Sequence, residues 1–449
     1  MDSFDFTIEK LGVCKQPSPL HLSMQGDARI AKFVSDDEAV IYNIDQMISS
    51  DTVTSIFSRS QLIEKAGPRE KIFFNPKKVC AGIVTCGGLC PGLNDVIRSL
   101  VMTLWYQYGV RNIIGIPYGY CGFLAEYGYE PIKLEPESVR HIHLHGGSVL
   151  GSSRGGARVD DIMDAIEQLN LNILFTIGGD GTQKGALALH EEAKRRGRIL
   201  SVIGIPKTID NDLSFVQRSF GFETAVSRAV MAVSAAHTEA ESAINGLSLV
   251  KVMGRESGFI AAHTALASGE VNFVLIPEVP FDLEGPGGLW ENLKDRIARR
   301  QHAVVLVAEG AGQSLLESSD AVDASGNRIL SDIGVYLKTR LLELSKRDEL
   351  PVNLRYIDPS YMIRGSEANP NDSIYCSRLG ANAVHAAMSG RTGLLMSMVH
   401  DRYVHIPIKL SVGQRNLVDP DGDLWRDVII QTGQPALMIN PKNQDSPVA

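Results

Sequence analysis

The chain has 449 residues, of which 44% are hydrophobic and 21% are charged, and it contains 42 glycines and 20 prolines. This composition is typical of a soluble globular protein and excludes disordered, collagen-like and coiled-coil chains. The 44 Lys and Arg residues against 52 Asp and Glu residues give a formal net charge of -8, so no general positive field attracts nucleic acid or an anionic membrane. The length predicts about two or three domains, and an enzyme with its site in a cleft is the default expectation.

The N-terminal sequence MDSFDFTIEK has neither a basic region nor an apolar core of the signal-peptide type, and no uncharged stretch reaches the ~18 to 20 residues that span a bilayer. We therefore expect a cytoplasmic protein. The six cysteines are scattered, which fits a reducing compartment better than a disulfide framework. Cys80, Cys86 and Cys90 lie close together but form no CxxC pair, so small buried residues around a turn are favoured over a zinc site.

Residues 1–78 are polar and interrupted by prolines, and they predict an N-terminal extension before the main fold. From Val79 onward, short apolar runs bounded by Gly or Pro alternate with stretches of helical length. Apolar runs without polar alternation are typical of strands covered on both faces, and they predict an α/β fold with doubly wound, mainly parallel sheets. The runs are Val79–Thr85, Asn112–Ile116, Ile173–Ile177, Leu200–Ile205, Ser248–Met253, Asn272–Ile276 and His302–Ala308.

Ligands of such sheets bind beyond the carboxyl ends of the strands, so the segments that follow the runs are the places to look for chemistry. The first run is followed by TCGGLCPGLN, in which Gly87 and Gly88 leave the main-chain amides accessible to phosphate; a tight turn explains the same pattern. The third run is followed by GGDGT and by Gly185, where we expect a helix to begin. A carboxylate between glycines suits a nucleotide site with magnesium.

PKTIDND follows the fourth run. Asp210 and Asp212 are two residues apart, and in extended backbone they would point the same way, so that one takes a proton while the other helps to hold a metal. An Asx-rich helix cap is the alternative. Arg154, Arg255 and Arg364 lie in separate loops, which suggests a substrate with more than one phosphate, although any one of them could form a surface ion pair.

His141, His143 and His145 alternate and could share one face of a strand as metal ligands. With no Cys or carboxylate at ligand spacing, a polar strand end is the plainer interpretation.

In this order, TCGGLCPGLN, GGSVLGSSR, GGDGT, PKTIDND, FGFETA, VMGRESG, AEG and YMIRG resemble the motifs of the 6-phosphofructokinase family. YIDPSYMIR and the insertion after Glu309 are most similar to the long-chain branch, which includes ATP enzymes of plants and trypanosomatids and pyrophosphate-using relatives. The resemblance implies two α/β lobes with the active site between them, a homotetramer, and phosphorylation of fructose 6-phosphate at its 1-hydroxyl in glycolysis. It implies lobes of 79–218 with part of 366–405 for the donor, and of 219–365 with part of 405–449 for the sugar phosphate.

The resemblance also implies roles for individual residues. Asp210 is the catalytic base, Thr208 orients the sugar, Arg154 bridges donor and acceptor, and Arg255 meets the transferred phosphoryl group. Asp180 and Asp212 hold Mg²⁺. The donor-binding set is Gly87, Gly88, Tyr120, Arg154, Gly179, Asp180, Gly181, Thr182 and Lys207. The substrate-binding set is Thr208, Asp210, Asp212, Met253, Gly254, Arg255, Glu309, Arg355, Tyr361 and Arg364, with Arg355 reaching a neighbouring subunit's site.

Two family markers of the phosphate donor disagree. Pyrophosphate users carry Asp where this chain has Gly181, whereas Lys207 is the residue of the pyrophosphate pattern. An Asp at position 181 would exclude a nucleotide by its charge and size, and its absence here favours ATP. An extra cation such as Lys207 is easier for an ATP site to tolerate, so the second marker weighs less. Pyrophosphate stays open as the alternative donor. The GGDGT kinases that act on NAD or lipids, and a non-catalytic regulatory subunit, are more remote alternatives.

Overall fold

The structure is a computed structural model that describes residues 4–24, 27, 30–42, 61–155, 158–317, 321–322 and 328–440. The strands are β1 (Glu9–Lys10), β2 (Gln16–Pro17), β3 (Ala39–Ile41), β4 (Leu62–Glu64), β5 (Lys71–Ile72), β6 (Cys80–Thr85), β7 (Asn112–Ile116), β8 (Ile132–Lys133), β9 (Ile173–Gly178), β10 (Ser201–Pro206), β11 (Gly246–Val252), β12 (Phe273–Leu275), β13 (His302–Ala308), β14 (Asn353–Ile357), β15 (Arg391–Thr392), β16 (Leu394–Val399) and β17 (Arg402–Pro407).

The α-helices are α1 (Leu93–Met102), α2 (Pro136–Val139), α3 (Val159–Gln168), α4 (Asp180–Arg195), α5 (Phe222–Glu241), α6 (Phe259–Ser268), α7 (Leu289–Arg300), α8 (Ile333–Arg347), α9 (Ser360–Arg364), α10 (Pro370–Met388), α11 (Ile408–Ser411) and α12 (Asp423–Thr432). Within the described part of the chain, each helix is too short or too polar to cross a membrane.

The chain divides into two compact units. The first unit comprises Met1–Thr208, Leu213–Gly221 and Ser366–Arg415, and the second comprises Ile209–Asp212, Phe222–Gly365 and Asn416–Ala449. The predicted lobe boundaries differ from these in detail, because Ile209–Asp212 lies in the second unit rather than the first. The C-terminal end of the predicted sugar-phosphate lobe, residues 441–449, lies outside the described residues.

The first unit is built on a seven-stranded sheet with the order β17-β16-β10-β9-β6-β7-β8. Neighbouring strands from β16 to β7 are parallel, and the edge strands β17 and β8 are antiparallel to their neighbours. Strands β9 and β10 are buried at every position, as the unbroken apolar runs predict. The loops after β6, β9 and β10 therefore emerge at one edge of this sheet.

The second unit contains a parallel four-stranded sheet with the order β12-β13-β11-β14. One face of this sheet packs on α7 and α8 through Leu249, Leu293, Val305 and Leu337, which belong to one buried cluster. The α/β prediction with mainly parallel sheets is confirmed. The strands predicted from the apolar runs are present, whereas β14, β16 and β17 were not predicted.

The described part of residues 1–78, which the sequence predicts as an N-terminal extension, packs on the first unit. The main-chain amide of Ala66 donates to Tyr403 in β17, and Lys65 forms a β-bridge with Val404. Beneath this contact Arg391 is almost fully buried and is held by Asp36 at 2.7 Å and by Glu64. A buried guanidinium requires such partners, so these acidic residues fix the N-terminal segment in place.

Glu64 also accepts a hydrogen bond from His405 at 2.8 Å. Burial alone would raise the pKa of Glu64, but the hydrogen bond from His405 and the charge of Arg391 outweigh it and lower the pKa to about 2. A carboxyl with a lowered pKa contributes stability above its unfolded value of 4.5, and this contribution is lost as the pH falls toward about 2.

Replacing Glu64 with Gln should lower the free energy of unfolding of the first unit by about 3 kcal/mol at pH 7, because it removes one of the anions that neutralise buried Arg391. Asp161→Asn, which breaks an exposed pair with Arg158, is the matched control and should cost about 1 kcal/mol or less. Urea unfolding measures both, and the cost of Glu64→Gln should shrink below about pH 4. Equal costs for the two variants would contradict this account.

Candidate active site

The loop after β6 lies against the glycine and serine loop that carries Arg154. The amide of Gly87 donates to Ser153 O at 2.9 Å, and the hydroxyl of Ser152 donates to Gly87 O at 2.5 Å. A Cβ at Gly88 would lie 3.5 Å from the Arg154 guanidinium, so no side chain separates this cation from the main chain. Main chain without side chains next to an arginine is suited to phosphate oxygens.

Lys207, the first residue after β10, adds a second cation to the same loops. Its side chain is buried, and its ammonium donates to Gly88 O at 2.7 Å. A Cβ at Gly87 would lie 3.1 Å from that ammonium. Three loops that are far apart in sequence thus form one positively charged loop cluster in the first unit. Its residues are Gly87, Gly88, Arg154 and Lys207.

Helix α4 begins at Asp180, five residues before the helix start predicted at Gly185. Gly185 is instead inside the helix, where its missing side chain leaves room for the ring of Tyr120, whose nearest atom is 2.6 Å from the Cβ position. Gly179 precedes the helix, and its Cβ position is 3.4 Å from Lys207 O. A Cβ on Gly181 would meet no atom within 4 Å, so that position faces open space.

Tyr120 supports the first turn of α4 from beneath. Its buried hydroxyl donates to Thr182 O at 2.9 Å. Burial raises the pKa of Tyr120 well above 10.0, so the phenol stays protonated and keeps this hydrogen bond. Tyr120 was predicted to lie near the donor nucleotide, and the structure places its ring under the GGDGT turn. The exposed aromatic ring beside the Arg154 loop is Tyr118, which packs over Gly151.

The Asp180 carboxylate is held from two sides. Its Oδ1 accepts the amide of Gly413 at 3.1 Å, and its Oδ2 lies 2.8 Å from the ammonium of Lys184. Among the described residues, no group of three or more His, Cys, Asp and Glu side chains could hold a metal ion by itself. Mg²⁺ commonly binds through one or two carboxylates together with substrate phosphates and water, and an oriented carboxylate beside a phosphate loop fits this mode.

Asp210 forms the centre of the second unit's candidate site. Its Oδ2 accepts the amide of Arg255 at 3.5 Å, and its main-chain oxygen accepts the hydroxyl of Ser257 at 3.2 Å. Oδ1 is buried. Burial, followed by the charges of Asp212 and Glu309, raises the pKa of Asp210 to about 7, while Arg364 and the Arg255 amide lower it by less. A carboxyl with a pKa near the working pH can both take and release a proton.

The sequence predicts extended backbone between Asp210 and Asp212. The structure shows instead that the PKTIDND segment is not extended there. Asn211 has φ 57°, so the chain turns between the two aspartates, and asparagine is one of the residues that tolerate this left-handed conformation. Before the turn, Thr208 O accepts a hydrogen bond from the Ser219 hydroxyl. After it, buried Asp212 accepts the amide of Asn416 on its main-chain oxygen at 2.9 Å.

The loops after β11 and β13 complete this group. Gly310 donates its amide to Gly254 O at 3.0 Å, and a Cβ on Gly310 would lie only 1.8 Å from Arg255 O, so the two loops can approach this closely only at a glycine. Glu309 lies 3.9 Å from the guanidinium of Arg364. Met253 is fully buried beside these loops.

Two other predicted substrate-binding residues of the second unit, Arg355 and Tyr361, lie at the surface of the chain. Arg355 is half-exposed on β14, with Glu239 3.8 Å away. Tyr361 is 86% exposed on α9. In the first unit, His141, His143 and His145 do not share one face of a strand, and no strand ends there as expected, because Ile142–Leu144 form a 3-10 helix.

The phosphofructokinase family model matches residues 80–387 of this chain. The chain belongs to the phosphofructokinase family. It is 51% identical over 447 residues to the "ATP-dependent 6-phosphofructokinase" of Borreliella burgdorferi, covering 98% of this chain and 99% of that protein. It is 49% identical over 375 residues to the "ATP-dependent 6-phosphofructokinase 5, chloroplastic" of Arabidopsis thaliana, covering 84% of this chain and 70% of that protein.

Among solved structures, the chain is similar to the pyrophosphate-dependent phosphofructokinase of Marinobacter aquaeolei, with a TM-score of 0.64 at 22% identity over 79% of this chain and 91% of that one. This likeness supports the fold alone. The predicted family and fold class are thus confirmed. Sequence analysis missed Gly413 and Lys184, the neighbours of Asp180; a lysine four residues after an aspartate on a helix could have been noticed, but nothing marks Gly413.

Proposed function

We propose that this phosphofructokinase transfers the γ-phosphoryl group of ATP to the 1-hydroxyl of fructose 6-phosphate and so forms fructose 1,6-bisphosphate for glycolysis. The relatives named as ATP-dependent 6-phosphofructokinases match nearly the whole chain at up to 51% identity. The observation that carries the proposal is the partly buried Asp210 carboxyl, whose pKa is raised to about 7 beside the Arg255 amide.

In this proposal Asp210 is the base. A sugar hydroxyl attacks phosphorus well only as its proton leaves, and a positioned carboxylate that accepts this proton typically contributes ~10² to 10⁴ in rate. The neighbouring charges of Asp212 and Glu309 make the Asp210 carboxylate more basic than an isolated one. Thr208, two residues earlier, orients the sugar.

Phosphoryl transfer otherwise requires alignment and the dispersal of negative charge. Arg255 meets the transferred group, and Arg154 bridges donor and acceptor phosphates. Gly88 binds the donor phosphates through its amide and Lys207 through its ammonium, while Gly87 keeps the loop free of a side chain beside them; the contact between Lys207 and Gly88 supports this. Gly179, Gly181 and Thr182 complete the donor loop, and Tyr120 supports it from beneath.

Asp180 and Asp212 are the residues that would hold Mg²⁺. When bound, this ion neutralises the donor's phosphate oxygens and makes phosphorus more electrophilic. The chain's contribution is to keep the Asp180 carboxylate oriented between Gly413 and Lys184 and to keep Asp212 buried.

We propose that Met253, Gly254, Glu309 and Arg364 surround the fructose 6-phosphate. Arg355 and Tyr361 are exposed in the single chain, which is compatible with reaching the 6-phosphate in a homotetramer, where Arg355 would serve a neighbouring subunit. A cytoplasmic location is part of the same proposal, although two plant relatives are named chloroplastic.

Open space at Gly181 supports ATP as the donor. A carboxylate at this position would meet the α-phosphate of a nucleotide and repel it, whereas pyrophosphate has no such group. Lys207, the other family marker, is already engaged with Gly88, so its presence is compatible with either donor.

Asp210→Ser should lower kcat by about 10² to 10⁴ while fructose 6-phosphate still binds, because the substitution removes the base and leaves the surrounding cations. Steady-state kinetics gives kcat, and calorimetric titration gives the affinity for the sugar phosphate. Asp427→Ser, on the exposed side of α12, is the control and should behave as wild type. Full activity of Asp210→Ser would refute the assignment of the base.

Gly181→Asp should impair turnover with ATP without unfolding the protein, because its side chain enters open space. Gly181→Asn has the same size without the charge, so it should retain more ATP activity than Gly181→Asp. The assay compares ATP with pyrophosphate for the wild type and for both variants. Wild-type turnover with pyrophosphate alone would contradict the choice of donor, and inactivity of the purified chain with either donor would favour a regulatory subunit.

A further inference from the structure

The segment Val412–Val418, here called the return segment, follows α11 and carries no motif that sequence analysis used. Its first part, through Arg415, belongs to the first unit, where Arg415 forms a β-bridge with Leu213 directly after PKTIDND. In that part the amide of Gly413 donates to Asp180 Oδ1 at 3.1 Å. A stretch of chain more than 200 residues away in sequence therefore contacts the carboxylate of the GGDGT motif.

Gly413 has φ +84°, a left-handed conformation that residues with a side chain rarely adopt. A Cβ on Gly413 would meet no atom within 4 Å, so the site has room for a side chain. The requirement for glycine is therefore conformational and not steric. In this backbone conformation the amide of residue 413 points at Asp180 Oδ1.

Asp180 has two oxygens with different surroundings. Oδ1 is bound by the main chain of Gly413, whereas Oδ2 lies 2.8 Å from the ammonium of Lys184, whose side chain is half-exposed. A main-chain donor cannot move away as a lysine side chain can. Oδ2 is therefore the oxygen on which a cation acts, and Oδ1 is the oxygen by which the carboxylate is fixed.

We propose that Gly413 is a positioning residue for the donor site: its amide holds the Asp180 carboxylate so that Oδ2 faces the cation that accompanies the nucleotide. The inference rests on the proposed function, since it takes Asp180 as the carboxylate that would hold Mg²⁺. Gly413 itself contacts neither substrate. It acts through Asp180, by removing the rotational freedom that the carboxylate would otherwise lose on binding.

The rest of the return segment has the same kind of role in the second unit. The amide of Asn416 donates to Asp212 O at 2.9 Å, and the amide of Val418 donates to Glu278 Oε1 at 2.8 Å. That same oxygen accepts the amide of Gly258, at the end of the VMGRESG loop, at 2.9 Å. Main-chain amides of one short segment thus hold loops that carry candidate site residues, which is why its backbone conformation matters.

Gly413→Ala is the test, because alanine fits the space but disfavours the left-handed conformation. Gly197→Ala is the matched control: Gly197 has φ +65°, its Cβ position is equally open, and it lies beyond the opposite end of α4. Gly413→Asn is the conservative variant, because asparagine tolerates φ above zero. Binding of Mn²⁺ in the presence of a non-hydrolysable ATP analogue is measured by electron paramagnetic resonance, and fructose 6-phosphate affinity by calorimetry.

Gly413→Ala should weaken Mn²⁺ binding by about threefold to tenfold, the effect of losing one typical hydrogen bond. Its fructose 6-phosphate affinity should stay within about twofold of wild type, and Gly413→Asn should recover most of the Mn²⁺ affinity. A Gly413→Ala variant whose Mn²⁺ affinity equals that of Gly197→Ala would overturn the inference, as would equal losses of Mn²⁺ and sugar phosphate binding. A wild-type chain without ATP-dependent phosphorylation of fructose 6-phosphate would instead overturn the proposed function.

Discussion

The candidate site of the second unit depends on keeping the carboxyl of Asp210 where water cannot fully solvate it. Burial and the neighbouring carboxylates of Asp212 and Glu309 make its ionised form costly, and this raises its pKa to about 7. The Arg255 amide and Arg364 reduce that cost without removing it. The loops bring the charges that set the pKa of Asp210 close to it. The turn at Asn211 places Asp212 near Asp210, and the close approach of Gly310 to Arg255 brings Glu309 next to it.

The positively charged loop cluster follows from the parallel sheet of the first unit. Strands β6, β9 and β10 end at the same edge, so their loops meet there even though they are distant in sequence. Gly87 and Gly88 leave the main chain of the loop after β6 without side chains. Lys207 and Arg154 bring positive charge to this loop. The return segment then fixes Asp180 from outside these loops. The chemistry therefore depends on main-chain geometry as much as on side chains.

Much of this arrangement could be predicted from the sequence. Unbroken apolar runs marked the buried strands, because a strand covered on both faces has no polar positions. The loops after those strands contained the residues that the structure brings together around Gly88 and, separately, around Asp210. Gly185 resembles a helix boundary, so the sequence predicts the start of α4 five residues too late. In the structure Gly185 lies inside the helix, where it leaves room for the ring of Tyr120.

Other features could not be predicted because they depend on contacts between distant parts of the chain. The polar segment before Val79 is irregular by pattern, yet buried Arg391 needs Asp36 and Glu64 and so holds that segment on the first unit. The turn at Asn211 replaces the extended backbone that two aspartates at alternate positions suggested. Gly413 has no local signature, since its importance comes from the direction of one amide.

The most direct test of this account is the titration of Asp210 in the ligand-free enzyme, followed by NMR of aspartate side chains labelled with ¹³C at the carboxyl carbon. A raised pKa means that Asp210 is protonated in mild acid and becomes a carboxylate as the pH rises through about 7. The account predicts one aspartate resonance that titrates near neutral pH and is absent from the Asp210→Asn variant. Titration of every aspartate below about pH 5 would contradict it.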